Sequence, residues 1–171
     1  MKIRLRIFWI WCFCSCIHLA RGQQEINVSL ESGFDRIGIL TELNGTFKFN
    51  NHRAIAGLKY YPLSYFFETN PVGLHLAYAY GVSSQKLNFN YGIGYCFFTE
   101  QKTDGRFLLH DVHLFHQLQF RKDKLAQPFV KAGLGIIHVP YKFMQESFNS
   151  TYINYELSLG LAFCFVGSGT H

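Results

Sequence analysis

The sequence predicts an all-β fold: an eight-stranded antiparallel up-and-down barrel that crosses a membrane with its apolar face outward. Apolar residues occupy every second position in eight successive runs, which is the period of a strand with one apolar face. The positions between them carry charged, polar or small residues, which would make a poor hydrophobic core. The connections between the runs are alternately short and longer, as in transmembrane β-barrels.

The first 22 residues are predicted to be a cleaved signal peptide, and residues 23–171 the barrel domain. A basic start precedes an apolar run of 13 residues, Ile7 to Leu19, and Ala20-Arg21-Gly22 fits a cleavage site. The run is shorter than the about 20 residues that a membrane-spanning helix needs. Removing this segment takes four of the 16 basic residues, so the remaining 12 against 11 acidic residues give a net charge of +1. The sequence therefore offers no basis for binding nucleic acid.

The first four strands are predicted at residues 26–34, 41–50, 53–61 and 72–82. In each of them the apolar residues lie mainly at odd or mainly at even positions, which we call one parity of the strand. The residues of the other parity are mainly polar or small. Asn51 and His52 are predicted to form a tight turn after the second strand. Pro62 fits the end of the third strand, because proline cannot donate a hydrogen bond to a ladder.

Four further strands are predicted at residues 86–98, 106–121, 129–141 and 155–165. The last is the clearest, because six apolar residues at odd positions alternate with Glu156, Ser158, Gly160, Ala162 and Cys164. Short turns are expected after the second, fourth and sixth strands. Longer connections are expected after the other strands, at residues 35–40, 63–71, 99–105 and 142–151.

Eight charged residues lie at the parity that faces the interior of the predicted barrel. They are Glu31, Glu42, Lys48, Arg53, Lys59, Asp111, Lys131 and Glu156. Buried charges persist only when they are paired, and this set contains both signs in equal number. We therefore expect a charge network that, with the small inward residues beside it, plugs the lumen.

A soluble eight-stranded barrel, such as a secreted lipocalin-like binder of apolar ligands, is the alternative. It would place the apolar parity inside and the charged parity outside. The interior of an eight-stranded barrel is only just wide enough for its side chains, so the many large apolar residues fit better outside.

Phe and Tyr are frequent, at 18 and 10 residues, and several lie near strand ends. Aromatic side chains form girdles at both membrane interfaces of transmembrane barrels. Candidates for these girdles are Tyr60, Tyr61, Tyr65, Phe66, Phe67, Tyr78, Tyr80, Tyr91, Tyr95, Tyr141 and Tyr152.

Over residues 26–165 this pattern resembles the small outer-membrane β-barrels of Gram-negative bacteria, in the class of OmpA-like and OmpX-like barrels. The resemblance implies a bacterial cell outer membrane location, contact with its lipid and lipopolysaccharide, and a structural or surface-interaction role through loops that meet an unknown extracellular ligand. It also implies recognition by the barrel assembly machinery through a terminal aromatic, which Phe163 and Phe165 fit. Residues 166–171 depart from the family pattern, in which that aromatic ends the chain.

Some barrels of this kind are lipid A deacylases, which is the second functional alternative. They place a His and a Ser two residues apart on an outward strand face. His138 occupies a comparable place, but the position two residues on is Pro140, which has no hydroxyl nucleophile. No catalytic site is therefore predicted, with His138 as a weak candidate.

Neither a cofactor nor a metal site is predicted. His110, His113 and His116 recur at three-residue spacing, but on a strand His113 faces opposite to the other two. Cys96 and Cys164 remain after signal removal and are expected near opposite ends of the barrel, beyond bonding distance.

Overall fold

The structure is a computed structural model that describes residues 24–84, 86–102, 105–120, 125–143 and 146–166 of the 171-residue chain. The predicted signal peptide and residues 167–171 lie outside the described part. Within the described part, no helix has the length and apolar character needed to cross a membrane.

Eight antiparallel strands form a closed barrel in chain order. They are β1 (Gln24–Asp35), β2 (Gly38–Phe49), β3 (His52–Ser64), β4 (Val72–Ser83), β5 (Leu87–Lys102), β6 (Gly105–Phe120), β7 (Ala126–Phe143) and β8 (Glu146–Val166). Each strand pairs with the next, and β8 pairs with β1. The predicted eight-stranded up-and-down barrel is confirmed.

The two parities of each strand face opposite sides of the barrel wall. Phe34 lies opposite Leu157 and both are exposed, whereas Glu31 lies opposite Glu42 and both are buried. Leu159 is 65% exposed, while Lys131, in the adjacent row and on the other face, is only 4% exposed. This orientation is the reverse of what a lipocalin-like barrel requires.

The barrel has two distinct ends. The terminus end carries the start of β1, the end of β8 and the connections after β2, β4 and β6. The loop end carries the connections after β1, β3, β5 and β7.

Three of the four longer connections expected at the loop end are wrong in extent. Only Arg36 and Ile37 separate β1 from β2, and the hairpins β5–β6 and β7–β8 continue through most of residues 99–105 and 142–151. The connection at 65–71 between β3 and β4 agrees with the expected position. The apolar alternation stops before the ladder does, because hydrogen bonding between backbones requires no particular side chain.

Buried apolar side chains collect inside the loop end and form what we call the loop-end cluster. Its members are Ile37, Leu40, Tyr61, Phe67, Cys96, Phe98, Leu109, Ile137 and Val139. The rings of Tyr61 and Phe98 pack with their centroids 5.3 Å apart. Tyr61 and Phe67 are thus not girdle residues, contrary to the sequence expectation, since Tyr61 shares the inward parity of Lys59.

Other girdle candidates do lie on the exterior. Tyr78, Tyr80, Tyr91 and Tyr95 are all 39–53% exposed. The side chain of Tyr141 lies outside the described part.

Three inward aromatic rings lie flat over a glycine on the neighbouring strand. The register places Gly73 opposite Phe98, Gly92 opposite Phe115 and Gly160 opposite Phe129. A Cβ atom added at any of these glycines would overlap the facing ring. The small inward residues therefore accommodate rings as well as long charged side chains.

We predict that Gly92→Ala lowers the free energy of unfolding by about 1–3 kcal/mol, because a methyl group there overlaps the Phe115 ring and lies 2.6 Å from the Tyr78 carbonyl oxygen. Gly45→Ala is the matched control, since its nearest neighbour is an oxygen 3.7 Å away. Denaturant unfolding of both variants in detergent micelles measures the difference. Equal stability of the two variants would contradict this packing.

Candidate functional site

The centre of the lumen is organised around the ammonium group of Lys131, contributed by β7. This Nζ atom lies 2.7 Å from Oε1 of Glu156 and 3.5 Å from Oε2 of Glu42, and it also pairs closely with Glu31. All four side chains are at most 5% exposed. Three carboxylates from three strands therefore share one buried cation.

A second ammonium group, that of Lys59, continues the network toward the loop end. Its Nζ lies 2.6 Å from Oε2 of Glu156 and 3.2 Å from Oδ2 of Asp35. The hydroxyl of Tyr61 donates to the same Asp35 oxygen over 2.5 Å. Asp35 also accepts hydrogen bonds from the backbone N–H groups of Ile37 and Gly38. Asp35 thus ties the ion pairs to the β1–β2 connection.

We call this group the charged cluster: Glu31, Asp35, Glu42, Lys59, Lys131 and Glu156. Two imidazole–carboxylate pairs adjoin it. Nδ1 of His75 pairs closely with Glu42, and Nδ1 of His113 lies 3.1 Å from Oδ2 of Asp111. The two imidazole rings face each other with centroids 5.4 Å apart.

The residues expected in one charge network fall into two places. Glu31, Glu42, Lys59, Lys131 and Glu156 meet in the charged cluster, and Asp111 lies beside it with His113. Lys48 and Arg53 lie instead toward the terminus end.

At the terminus end, Lys48 pairs with Glu25 at 2.9 Å, and the Arg53 guanidinium donates to Gln119 over 3.5 Å. A polar cavity of about 140 Å³ lies among these side chains and is also lined by Cys164. Positive charge therefore concentrates at this end, and the centre holds more carboxylates than ammonium groups.

Sequence reasoning missed Asp35, Tyr61 and His75 as partners in the lumen. Asp35 lies in the predicted connection 35–40, although it continues the inward parity of Glu31. Tyr61 is a girdle candidate by residue type, although its parity within the predicted third strand is inward. Extending the parity of the first strand by one residue finds Asp35, and the parity of the third strand already finds Tyr61, whereas the pairing of His75 with Glu42 requires knowledge of the barrel's curvature.

On the exterior, His138 and Thr151 lie opposite each other on β7 and β8, with Nδ1 and Oγ1 3.2 Å apart. His110 is the partner of His138 on β6, and it hydrogen-bonds the hydroxyl of Tyr95 at 2.7 Å. A row of hydroxyl and imidazole groups thus crosses the outer surface toward the loop end. The spacing around His138 in the sequence does not reveal Thr151, because Thr151 comes from the neighbouring strand.

The remaining site candidates lie as follows. Phe163 and Phe165 face outward near the terminus end and are 37% and 54% exposed. Cys96 is buried and Cys164 is half-buried, and both are free thiols. His113 points inward, whereas His116 packs against the exposed ring of Tyr91.

Comparison with known proteins gives a likeness in structure only. No protein-family model matches the chain, and no curated protein sequence matches it. The chain is similar to the N-terminal β-barrel domain of OprF from Pseudomonas aeruginosa, with 13% identity, 85% of this chain and 100% of that domain covered, and a TM-score of 0.50. It is also similar to the outer membrane protein AlkL, determined in lipid bilayers, with 12% identity, 88% and 93% coverage, and a TM-score of 0.50. The expected resemblance to small outer-membrane barrels is confirmed at the level of the fold.

We predict that Lys131→Met lowers the free energy of unfolding by about 3–5 kcal/mol, because it leaves buried carboxylates without their cation. Lys48→Met is the matched control and should cost about 0–1 kcal/mol, since its ion pair with Glu25 is partly exposed. Denaturant unfolding in micelles measures both. Adding Glu31→Gln to Lys131→Met should recover part of the loss, and equal effects of the two lysine substitutions would refute the central role of Lys131.

Proposed function

We propose that this chain is a bacterial outer-membrane β-barrel protein with a plugged polar lumen and a structural or surface-interaction role. One observation carries the proposal: large apolar side chains cover the outside of every strand, while the ion pairs lie inside. One outward residue from each strand illustrates this apolar exterior, at 49–67% exposure: Leu30, Leu43, Leu58, Leu76, Ile93, Leu114, Leu134 and Leu159.

Water is a poor solvent for such a surface. Exposed apolar area costs about 25 cal/mol per Å², and soluble monomers rarely expose patches beyond a few hundred Å². Acyl chains remove this cost without requiring any partner protein. The fold that the chain shares with AlkL and the OprF domain supports the same environment.

The length of the strands supports a role at the cell surface. A tilted strand crosses the hydrocarbon layer in about 9–11 residues, close to the 12 residues of β1 and of β2. By contrast, β7 has 18 residues and β8 has 21. The β7–β8 hairpin therefore projects beyond the membrane at the loop end, where it would meet an extracellular ligand.

The stacking of two layers inside the wall supports a plugged lumen. The loop-end cluster fills one end with side chains such as Leu109 and Ile137, both 0% exposed. Below it, Lys59 and Lys131 hold four carboxylates in place. A steady ionic conductance of the protein in planar bilayers would contradict this part of the proposal.

The second candidate function is hydrolysis of an ester in outer-leaflet lipid, and the His138–Thr151 pair is the observation that favours it. Here the Thr151 oxygen would attack the ester carbonyl carbon as its proton passes to the His138 ring. The ring would return the proton to the leaving alkoxide, and water would then release the fatty acid from Thr151. Both residues face outward, where a lipid ester can reach them.

We predict that the exported protein sediments with outer membranes and migrates faster on gels before heating than after it. Leu134→Arg, at the middle of β7, should reduce assembly, because an arginine facing the bilayer midplane costs about 2–4 kcal/mol. Leu125→Arg is the control, since Leu125 is equally exposed (68% against 67%) but lies just before the first residue of β7, at the terminus end. Release of the wild-type protein in soluble form, or equal assembly of both variants, would overturn the membrane location.

For the enzymatic alternative, we predict that lipid A from cells expressing the wild-type chain lacks an acyl group that is retained with Thr151→Val. This substitution removes the hydroxyl at nearly constant volume, and His138→Gln should have the same effect. Mass spectra of extracted lipid A provide the measurement. Identical spectra with and without the gene would eliminate the deacylase function and leave the structural role intact.

A further inference from the structure

Four inward side chains on β4, β5 and β6 form a compact group. None of them takes part in the lysine–carboxylate ion pairs of the charged cluster. His75, Cys96 and Asp111 are successive partners across the three strands, and His113 lies opposite Gly94 in the adjacent inward row. All four are at most 3% exposed. Potential ligand atoms of Cys96, Asp111 and His113 lie within 4.8 Å of one another.

Both imidazole rings of this group are held in the same way. Nδ1 of His75 is paired with the carboxylate of Glu42, and Nδ1 of His113 with that of Asp111. In each ring Nε2 is buried and has no hydrogen-bond partner. A histidine that gives one nitrogen to a carboxylate and leaves the other free is the usual arrangement of a metal ligand, because the carboxylate fixes the tautomer and orients the ring.

The two free nitrogens flank a gap left by Gly94. A Cβ atom there would clash with Nε2 of His113 and lie 2.8 Å from Nε2 of His75. Each nitrogen lies at most 2.8 Å from that Cβ position, so the two nitrogens are less than 5.6 Å apart. Nitrogen ligands at about 2.0–2.1 Å from a tetrahedral zinc ion lie about 3.3 Å apart, so the two nitrogens must move closer together across the gap to share one ion.

The charge of the surroundings favours a cation. The connected side chains include the carboxylates of Glu31, Asp35, Glu42, Asp111 and Glu156. Among these described groups only the two ammonium groups of Lys59 and Lys131 balance them. Binding of a divalent ion, with loss of the Cys96 proton, adds one net positive charge and so lowers this excess of three negative charges to two.

An ion can approach from the terminus end. A cavity of about 30 Å³, large enough for water, is lined by His75 together with polar groups that include Asn44 and Gln117. The larger polar cavity of about 140 Å³ lies closer to the terminus end and shares Asn27 and Arg53 with the smaller one. Two adjoining cavities with polar linings therefore lead from the terminus end to one of the two imidazole rings.

We infer that the lumen binds one divalent transition-metal ion through Nε2 of His75, Nε2 of His113 and the thiolate of Cys96. Two imidazoles and a thiolate suit Zn²⁺ and its substitute Co²⁺, and they select against Mg²⁺ and Ca²⁺, which prefer oxygen ligands. On binding, the S–H bond of Cys96 breaks, its proton passes to solvent and the sulfur binds the metal. Glu42 and Asp111 are positioning residues, which orient the two rings. The inference goes beyond the proposed function and does not depend on the membrane location.

The test is zinc binding by the full chain, purified in detergent, stripped with a chelator and dialysed against Zn²⁺. Elemental analysis should give one zinc per chain, and Co²⁺ should produce the near-ultraviolet absorption of a cobalt–thiolate bond. Zinc should also raise the unfolding midpoint, because it binds the folded state. Binding should weaken about ten-fold or more in His113→Gln and in Cys96→Ser.

Matched controls separate the site from general metal binding. His110→Gln lies on the same strand as His113 but faces outward, and Cys164→Ser removes the other free thiol of the described residues. Both should bind zinc as the wild type does. Cys96→Ser nearly preserves side-chain size, so it decides the question should His113→Gln fail to fold. Absence of zinc from the wild type, or equal binding by the two cysteine variants, would overturn the inference.

Discussion

The buried ammonium group of Lys131 is the interaction on which the interior of this barrel depends. Removing an ion from water is costly, and the cost is repaid only where opposite charges and hydrogen bonds surround it. Glu31, Glu42 and Glu156 come from β1, β2 and β8, and Lys131 comes from β7, so a single cation joins four strands on both sides of the β8–β1 seam. The closure of the barrel therefore brings the carboxylates of β1 and β2 to the cation on β7.

Around this centre the lumen is layered by polarity. The loop-end cluster is apolar, and the Tyr61 hydroxyl links it to Asp35 and so to the ion pairs. The terminus end is polar, with Lys48 and Arg53 near cavities that can hold water. The layers follow from solvation, since charges remain tolerable where water can reach them and need matched partners where it cannot. Glycines make the layers possible in so narrow a tube, because rings such as Phe115 and Phe129 lie flat only where the facing residue has no side chain.

Much of this architecture is predictable from the sequence, because parity is a local property. The strand that contains Leu157 and Leu159 fixes its own outward face, and all eight strands, their order and their sidedness follow from the same rule. The ends of the strands are less predictable, since the ladder of β8 begins at Glu146, nine residues before the alternation does. The partners inside the lumen are the least predictable. Parity places His75 and Glu42 inside, but their pairing across two strands depends on the curvature of the closed wall, which no local pattern contains.

Glu42 connects the two chemical features of the interior, and this connection constrains both. One of its oxygens faces Lys131 and the other faces His75. A cation held by His75 and His113 would draw the Glu42 charge toward the imidazole, and Lys131 would then depend more strongly on Glu31 and Glu156. The stability of the charged cluster and the affinity for a metal are therefore coupled through one carboxylate, and by linkage the coupling acts equally in both directions. The interior therefore does more than fill the lumen. A change at the His75–His113 pair alters the surroundings of Lys131, which joins four strands.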